Sequence, residues 1–255
     1  MSQLADRVAL VTGGGRGIGR AIAREFARQG AKVVISSRTR TDLDAVVKSI
    51  EGEGGEARAA VCDAMDREQV RGLVQTTRDA FGRLDILVNN VGGGAPIGDS
   101  RDPDDIFLAN VTLNMMSAVW ATGAALPAMR DQGYGRIINI GSGASKRSGA
   151  SVAYATAKHG LVGYTRQLAA DVGTEGITVN CLCPGWTNTS LVDWEGMGKA
   201  MEITGAEAKV AAESDNLQHR VLEPEELAPM ATLLAAPSGG GITGQVISVD
   251  GGYKV

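Results

Sequence analysis

The sequence predicts an α/β fold, a single doubly wound Rossmann-like domain whose seven-stranded parallel sheet is covered by helices on both faces. Three observations predict it. Seven short runs rich in Val, Ile and Leu alternate along the 255 residues with stretches of helical period, the order of repeated βαβ units. The first run ends in a glycine-dense turn that opens a helix, as a nucleotide-binding fold requires. No Pro/Ser linker, change of composition or internal repeat divides the chain, so residues 1–255 are expected to form one domain.

The elements follow in order. Strands are expected at 8–11, 32–35, 57–61, 86–88, 136–140, 177–182 and 246–249, because each is a short, largely apolar run alternating with a helical pattern. Helices are expected at 18–29, 42–51, 66–81, 104–129, 151–172 and 224–235, where apolar residues recur at three- and four-residue spacing. The segment 188–222, rich in Met, Ala and Glu, breaks this alternation after the sixth strand. An insertion there, at a strand's carboxyl end, is expected to act as a lid.

Composition narrows the function. Net charge is −4 with acidic residues scattered, so there is no basic face for nucleic acid and no polybasic membrane anchor. The first seven residues hold no signal-like apolar core, and a cytoplasmic location is expected. Residues 106–129 carry no charge and could span a bilayer by length. Asn110, Thr112, Asn114 and Pro127 interrupt that stretch, so it is read as a helix buried on one face by the core and on another by a partner subunit. Three cysteines and two histidines show no ligand spacing, so neither a metal nor a disulfide is expected. Cys181 and Cys183 are expected to point to opposite faces of their strand.

The turn Thr12-Gly13-Gly14-Gly15-Arg16-Gly17-Ile18-Gly19 brings backbone amides and a helix dipole to one point, which suits a pyrophosphate. Its glycines fit T-G-x-x-x-G-x-G rather than G-x-G-x-x-G. The second strand ends in Ser36-Ser37-Arg38, with an arginine where an NAD-binding chain would place an acid; NADP(H) is therefore expected over NAD(H). Tyr154 and Lys158 lie four apart on one helix face. A phenol is a poor base at neutral pH, and an ammonium group alongside favours its anion.

These pieces, with Asp63 after the third strand, Asn89-Asn90-Val91-Gly92, Asn110-Val111, Ile140-Gly141-Ser142, Pro184-Gly185-Trp186-Thr187-Asn188-Thr189 and Asp250-Gly251-Gly252, resemble the short-chain dehydrogenase/reductase family over essentially the whole chain. The resemblance implies that Tyr154 gives or takes the substrate proton and Ser142 hydrogen-bonds the substrate oxygen. Lys158 would ease the tyrosine's proton loss and hold the nicotinamide ribose, and Asn110 would support a water linking Lys158 to solvent. Thr12, Gly13, Arg16, Gly17, Ile18 and Gly19 would line the pyrophosphate turn, with Ser37 and Arg38 at the adenosine phosphate. Asp63 would meet the adenine and Asn90 the adenosine ribose. Pro184 would also touch the cofactor, whose nicotinamide amide Thr187 and Thr189 would meet.

Two departures stand out. Val91 replaces the family's usual alanine, and Ser142 precedes Tyr154 by twelve residues rather than thirteen, with Ser145 as the fallback. The implied function is transfer of hydride between NADP(H) and a small ketone or secondary alcohol, by a homotetramer. A 3-oxoacyl-carrier-protein reductase is the alternative. It is disfavoured because Asp131-Gln132-Gly133 and Gly173-Thr174-Glu175 put acids where an acidic carrier would dock, while Trp186, Leu191, Val192, Trp194, Met197 and Met201 offer an apolar cover for a small substrate. A non-catalytic nucleotide sensor would have no need of the Ser, Tyr and Lys set.

Overall fold

In the central strands nearly every residue is apolar and buried, which only a sheet covered on both faces can accommodate. The computed structural model describes residues 2–94, 103–148 and 150–254. Its strands are β1 (Val8–Thr12), β2 (Lys32–Ser37), β3 (Glu56–Val61), β4 (Ile86–Asn89), β5 (Gly135–Ile140), β6 (Ile177–Pro184) and β7 (Val246–Val249). They form one sheet in the order β3-β2-β1-β4-β5-β6-β7, with all pairs parallel. The expected seven-stranded doubly wound architecture is therefore observed.

The winding reverses between β1 and β4, where Val11 pairs with Ile35 on one side and Val88 on the other. In open α/β sheets a ligand binds in the crevice outside the carboxyl ends of the strands at such a reversal. At the opposite end, the fully buried carboxylate of Asp85 accepts the Val8 N–H at 2.9 Å and pairs with Arg7 and Arg83, fixing β1 against β4.

One face is packed by α1 (Gly17–Arg28) and α2 (Arg40–Gly52), which contribute Ile22, Phe26, Leu43, Val46 and Ile50 to a core completed by the last helix. The other face is packed by α3 (Arg67–Phe81) and by two long helical stretches. Asp66 caps α3 by accepting the Glu68 and Gln69 amides, and Gly82, at φ +80°, ends it. The expected helix 104–129 is a continuous run made of α4 (Pro103–Val111), a π-helical turn (Thr112–Met116) and α5 (Ser117–Gln132). By length and composition it could cross a membrane. Here Ala121, Ala125 and Met129 pack it onto the sheet instead.

The fourth helix on this side, α6 (Val152–Val172), leads into β6. Between β6 and the last helix lie α7 (Trp194–Ala200) and α8 (Gly205–Ser214). The expected helix 224–235 divides into a 3₁₀ turn, Pro224–Leu227, and α9 (Ala228–Ala235).

One expectation is corrected. Cys181 and Cys183 point to the same face of β6, with their sulfurs 3.7 Å apart. Strand side chains alternate with period two, so residues i and i+2 share a face. The pair remains two free thiols packed against Val162.

Candidate active site

The glycine turn is shaped by its neighbours. Gly13 and Gly17 adopt φ +65° and +53°, which glycine tolerates and other residues rarely do. The Asn90 side chain donates to Thr12 O and Gly13 O at 3.0 and 3.1 Å, and its backbone N–H donates to Thr12 Oγ1 at 3.0 Å. Asn90, expected at a ribose, thus clamps the turn itself. Helix α1 starts here with no side-chain cap and no acid in its first turn, so its amides and dipole stay available to an anion. These are the features a pyrophosphate cradle needs.

At the end of β2, Ser37 Oγ accepts the Thr39 N–H at 3.3 Å. Arg38 is exposed and makes no ion pair among the described residues, whereas Arg40 is taken by Asp44 at 2.8 Å. A Cβ at Gly15 would lie 2.9 Å from Ser37 Oγ and 3.2 Å from Asp42 Cβ. The turn therefore also has an acid for a neighbour, Asp42, which the strand-end pattern did not bring to notice. Asp63 is folded onto its own loop, accepting the Met65 N–H at 2.9 Å. Beside it, burial first and then Asp63 and Asp66 push the Cys62 thiol up to about 11, which keeps it neutral.

The centre of the site is the ammonium of Lys158. Ser151 caps α6 by accepting the Tyr154 N–H, and one turn on Lys158 is only 2 % exposed. Its Nζ donates to Ile140 O at 2.9 Å and sits 5.8 Å from the centroid of the half-buried Tyr154 ring. A Cβ at Gly92 would stand 3.0 Å from that Nζ and 2.9 Å from Asn114 Oδ1, so both side chains occupy space that only glycine leaves.

Asn114, in the π turn, accepts the Gly93 N–H at 2.8 Å and donates to Gly93 O at 2.9 Å and Asn110 O at 3.0 Å. Asn110 turns its own amide back to Ile106 O at 2.9 Å, within its helix. The neighbour of Lys158 is thus Asn114, one turn beyond the asparagine singled out from the Asn-Val pair. Two asparagines four apart were the available signal.

Ser142 caps a 3₁₀ turn, Gly143–Ser145. Its Oγ accepts the Ala144 N–H at 3.1 Å, and its N–H donates to Ser145 Oγ at 3.0 Å. Among the described residues no acceptor takes the Ser142 hydroxyl proton. Ser145 is buried and supports Ser142 from below, so it is not placed to meet a substrate. The two thiols lie beneath, where a Cβ on Gly141 would be 2.8 Å from either sulfur. Contact with Cys181, then the Ser142 N–H, Ser145 and Lys146, draw Cys183 down to about 7 against its burial, while contact with Cys183 and burial push Cys181 up.

Beyond Pro184, which pairs with Val249, the ends of the 188–222 segment are zipped together. Asn188 N–H donates to Leu222 O and Leu222 N–H to Trp186 O, at 2.8 and 2.9 Å. Arg220 clasps Glu226 through both terminal nitrogens, at 2.6 and 2.7 Å, and this first holds the Glu226 carboxyl down to about 2. Thr187 is buried and donates to Gly185 O. The Thr189 side chain lies 3.1 Å from where a Gly17 Cβ would stand, and Leu191 presses on Gly93, whose φ is +127°. The segment thus touches both turns of the crevice. Thr12, Gly13, Gly17, Gly19, Asn90 and Thr189 surround one turn; Tyr154, Lys158 and Asn114 form the second group. Among the described residues no group of His, Cys, Asp and Glu could hold a metal.

Known proteins match this arrangement. The family model described as short chain dehydrogenase matches residues 7–198. A Streptomyces virginiae protein named as a ketoacyl reductase of the monensin polyketide synthase is 38 % identical over 99 % of this chain and 98 % of its own. A crystal structure of an actinorhodin polyketide ketoreductase variant with NADPH superposes with TM-score 0.91 at 32 % identity, over 97 % of both chains. One of levodione reductase gives 0.90 at 31 % identity, over 97 % of both chains.

Proposed function

The chain belongs to the short-chain dehydrogenase family, and from that premise we propose that it is a cytoplasmic NADP(H)-dependent oxidoreductase interconverting a small ketone and its secondary alcohol, with Tyr154 as general acid and base. The observation that carries this reading is the buried Lys158 ammonium, 5.8 Å from the Tyr154 ring centroid. A cation there favours loss of the phenolic proton on oxidation of an alcohol and steadies the phenolate left when a ketone is reduced.

When bound, the nicotinamide cofactor supplies or accepts the hydride. The side chains do the rest. The Ser142 hydroxyl donates a hydrogen bond to the substrate oxygen, and Tyr154 passes its proton to that oxygen as negative charge grows there. Lys158 holds charge beside Tyr154 and binds the nicotinamide ribose. We assign the support of a water between Lys158 and solvent to Asn114 rather than Asn110, a role supported by the approach of both Asn114 Oδ1 and Lys158 Nζ to Gly92. Thr12, Gly13, Arg16, Gly17, Ile18 and Gly19 take the pyrophosphate, Asp63 and Asn90 the adenosine, and Pro184, Thr187 and Thr189 the nicotinamide end. Ser37 and Arg38, which makes no ion pair among the described residues, take the 2′-phosphate. The 188–222 segment acts as a lid, a role supported by the contacts of Thr189 and Leu191 with the crevice.

A carrier-bound 3-oxoacyl substrate is the second reading, favoured by the name of the Streptomyces virginiae relative. Against it, Arg130 is engaged by Glu175 at 2.7 Å and so is not free to greet an acidic carrier. Trp186 and Trp194, with ring centroids 5.7 Å apart, supply apolar cover on the scale of a small ketone. A sensor without chemistry would not need an ammonium buried beside a phenol.

Assembly is part of the proposal. The α4–α5 run buries one face on the sheet and leaves the other partly open, with Leu108 62 % exposed, and a homotetramer would cover it. Light scattering at micromolar concentration is expected to give about four times the 26.4 kDa chain mass; a monomer mass would contradict this.

The function is tested by following NADPH oxidation with small ketones, diketones and acetoacetyl-carrier protein, in wild type and Tyr154→Phe. We expect higher kcat/KM for a small ketone than for the carrier substrate, and a loss of about 10²- to 10⁴-fold in kcat in the variant with NADPH affinity retained. Near wild-type turnover in Tyr154→Phe would end the assignment, and a tenfold advantage for the carrier substrate would end the small-ketone reading.

Cofactor choice has its own test. Loss of a charge-assisted phosphate contact costs about 1.5 to 3 kcal/mol, so Arg38→Ala should weaken NADPH binding by about 10- to 100-fold and leave NADH binding nearly unchanged. Equal weakening of both would show that Arg38 does not read the phosphate.

A further inference from the structure

We propose that Tyr253 is a positioning residue for this site: its ring props the loop that carries Ser142 and straps that loop to the 188–222 segment. The inference rests on the reading of Ser142 as the group that hydrogen-bonds the substrate oxygen. It starts from two glycines. Gly251 and Gly252, at φ +65° and +79°, turn the chain back after β7, and Gly252 N–H donates to Asp250 Oδ1 at 3.0 Å. The turn delivers the Tyr253 ring, which is 7 % exposed, against Gly143. A Cβ on Gly143 would stand 2.7 Å from both Cδ1 and Cε1 of the ring.

Gly143 is the first residue of the 3₁₀ turn whose Ala144 N–H holds Ser142 Oγ. Having no side chain, it cannot anchor itself, so the aromatic ring supplies the surface on which this turn rests. Arg147, from the same loop, donates to Tyr253 O. The other edge of the strap binds the substrate-covering segment. Asn216 pairs antiparallel with Tyr253, Leu217 and Gln218 donate to Gly252 O and Gly251 O at 3.3 and 3.2 Å, and Lys254 donates to Asp215 O at 2.7 Å. Asp215 in turn accepts the Trp186 indole N–H at 3.3 Å.

One residue therefore sets the serine hydroxyl on one side and the base of the apolar cover on the other. Among the described residues, Tyr253 touches Gly143, Arg147 and Asn216 and none of those assigned to the pyrophosphate or adenosine. Its removal should act on turnover and leave cofactor affinity alone. The contact with Gly143 is made by ring carbons, so phenylalanine should serve in place of tyrosine.

The experiment compares wild type, Ser142→Ala, Tyr253→Ala, Tyr253→Phe, Gly143→Ala and the double variant Gly143→Ala/Tyr253→Ala. It measures kcat and KM with the best small ketone, NADPH affinity by fluorescence, and hydrogen exchange of residues 141–148 and 214–218. A displacement of about 1 Å at a reacting group costs up to about 100-fold, so Tyr253→Ala should lose about 10- to 100-fold in kcat, and its amides in both segments should exchange faster. NADPH affinity should stay within about twofold, a limit well below the tenfold expected from losing a direct contact. Tyr253→Phe should restore turnover. Gly143→Ala, which drives a methyl into the ring, should impair the wild type but cost little more in the Tyr253→Ala background; it also stands in for Tyr253→Ala if that variant does not fold. Full kcat in Tyr253→Ala while Ser142→Ala is impaired would overturn the inference and leave the functional reading standing. Absence of turnover in the wild type, or full turnover in Ser142→Ala, would overturn that reading and the inference with it.

Discussion

Lys158 is buried, its ammonium at the carboxyl end of β5, and a buried charge persists only where oxygens face it. Most of the site follows from meeting that demand. Ile140 offers its carbonyl because β5 ends there, against β4 and β6. Gly92 offers the room, since any side chain at that position would meet the ammonium and Asn114 together. The long helix gives up one turn of regular α geometry so that Asn114 can bind both polar groups of Gly93. Placed this way, the cation lies 5.8 Å from the centroid of the Tyr154 ring, which stands one turn earlier on the same helix.

The same economy governs the nucleotide end. The reversal of winding between β1 and β4 opens a crevice, and Asn90 at the end of β4 braces the glycine turn at the end of β1. Among the described residues no side chain caps the first amides of α1, which are therefore available to an anion. The segment after β6 reaches back to both turns through Thr189 and Leu191, so the two halves of the crevice are joined by one stretch of chain whose own ends are zipped together. The glycine turn, the Tyr154–Lys158 pair and the segment after β6 are thus consequences of one topology rather than separate devices.

Strand and helix order was legible because buried parallel strands are apolar without interruption and helices keep their three- and four-residue rhythm. The glycine turn and the Tyr154–Lys158 pair were legible because each needs a particular residue at a particular spacing. Asn114 was not, because one π-helical turn barely disturbs the apolar rhythm of 104–129, and the Asn-Val pair drew attention to Asn110. Ser145 carried the right chemistry for a substrate contact but lies buried under the residue it supports, and burial is set by β6 and the thiols far along the chain. The shared face of Cys181 and Cys183 was within reach of strand periodicity. The contact of Tyr253 with Gly143 joins residues 110 positions apart (253 − 143) and leaves no local mark. Asp42 beside Gly15 is a similar case, a packing fact that the end of β2 alone does not reveal.

The central claim is that the site is organised around Lys158 by Asn114, and a side-by-side comparison of Asn114→Ala and Asn110→Ala tests it most directly. Steady-state kcat with NADPH and a ketone substrate is the quantity to measure. Asn114→Ala removes the group that holds Gly93, the residue after the Gly92 that lies against the ammonium, so kcat should fall about 10- to 100-fold further than in Asn110→Ala, which removes only a hydrogen bond within its own helix. Equal losses in the two variants, or the greater loss in Asn110→Ala, would contradict the account.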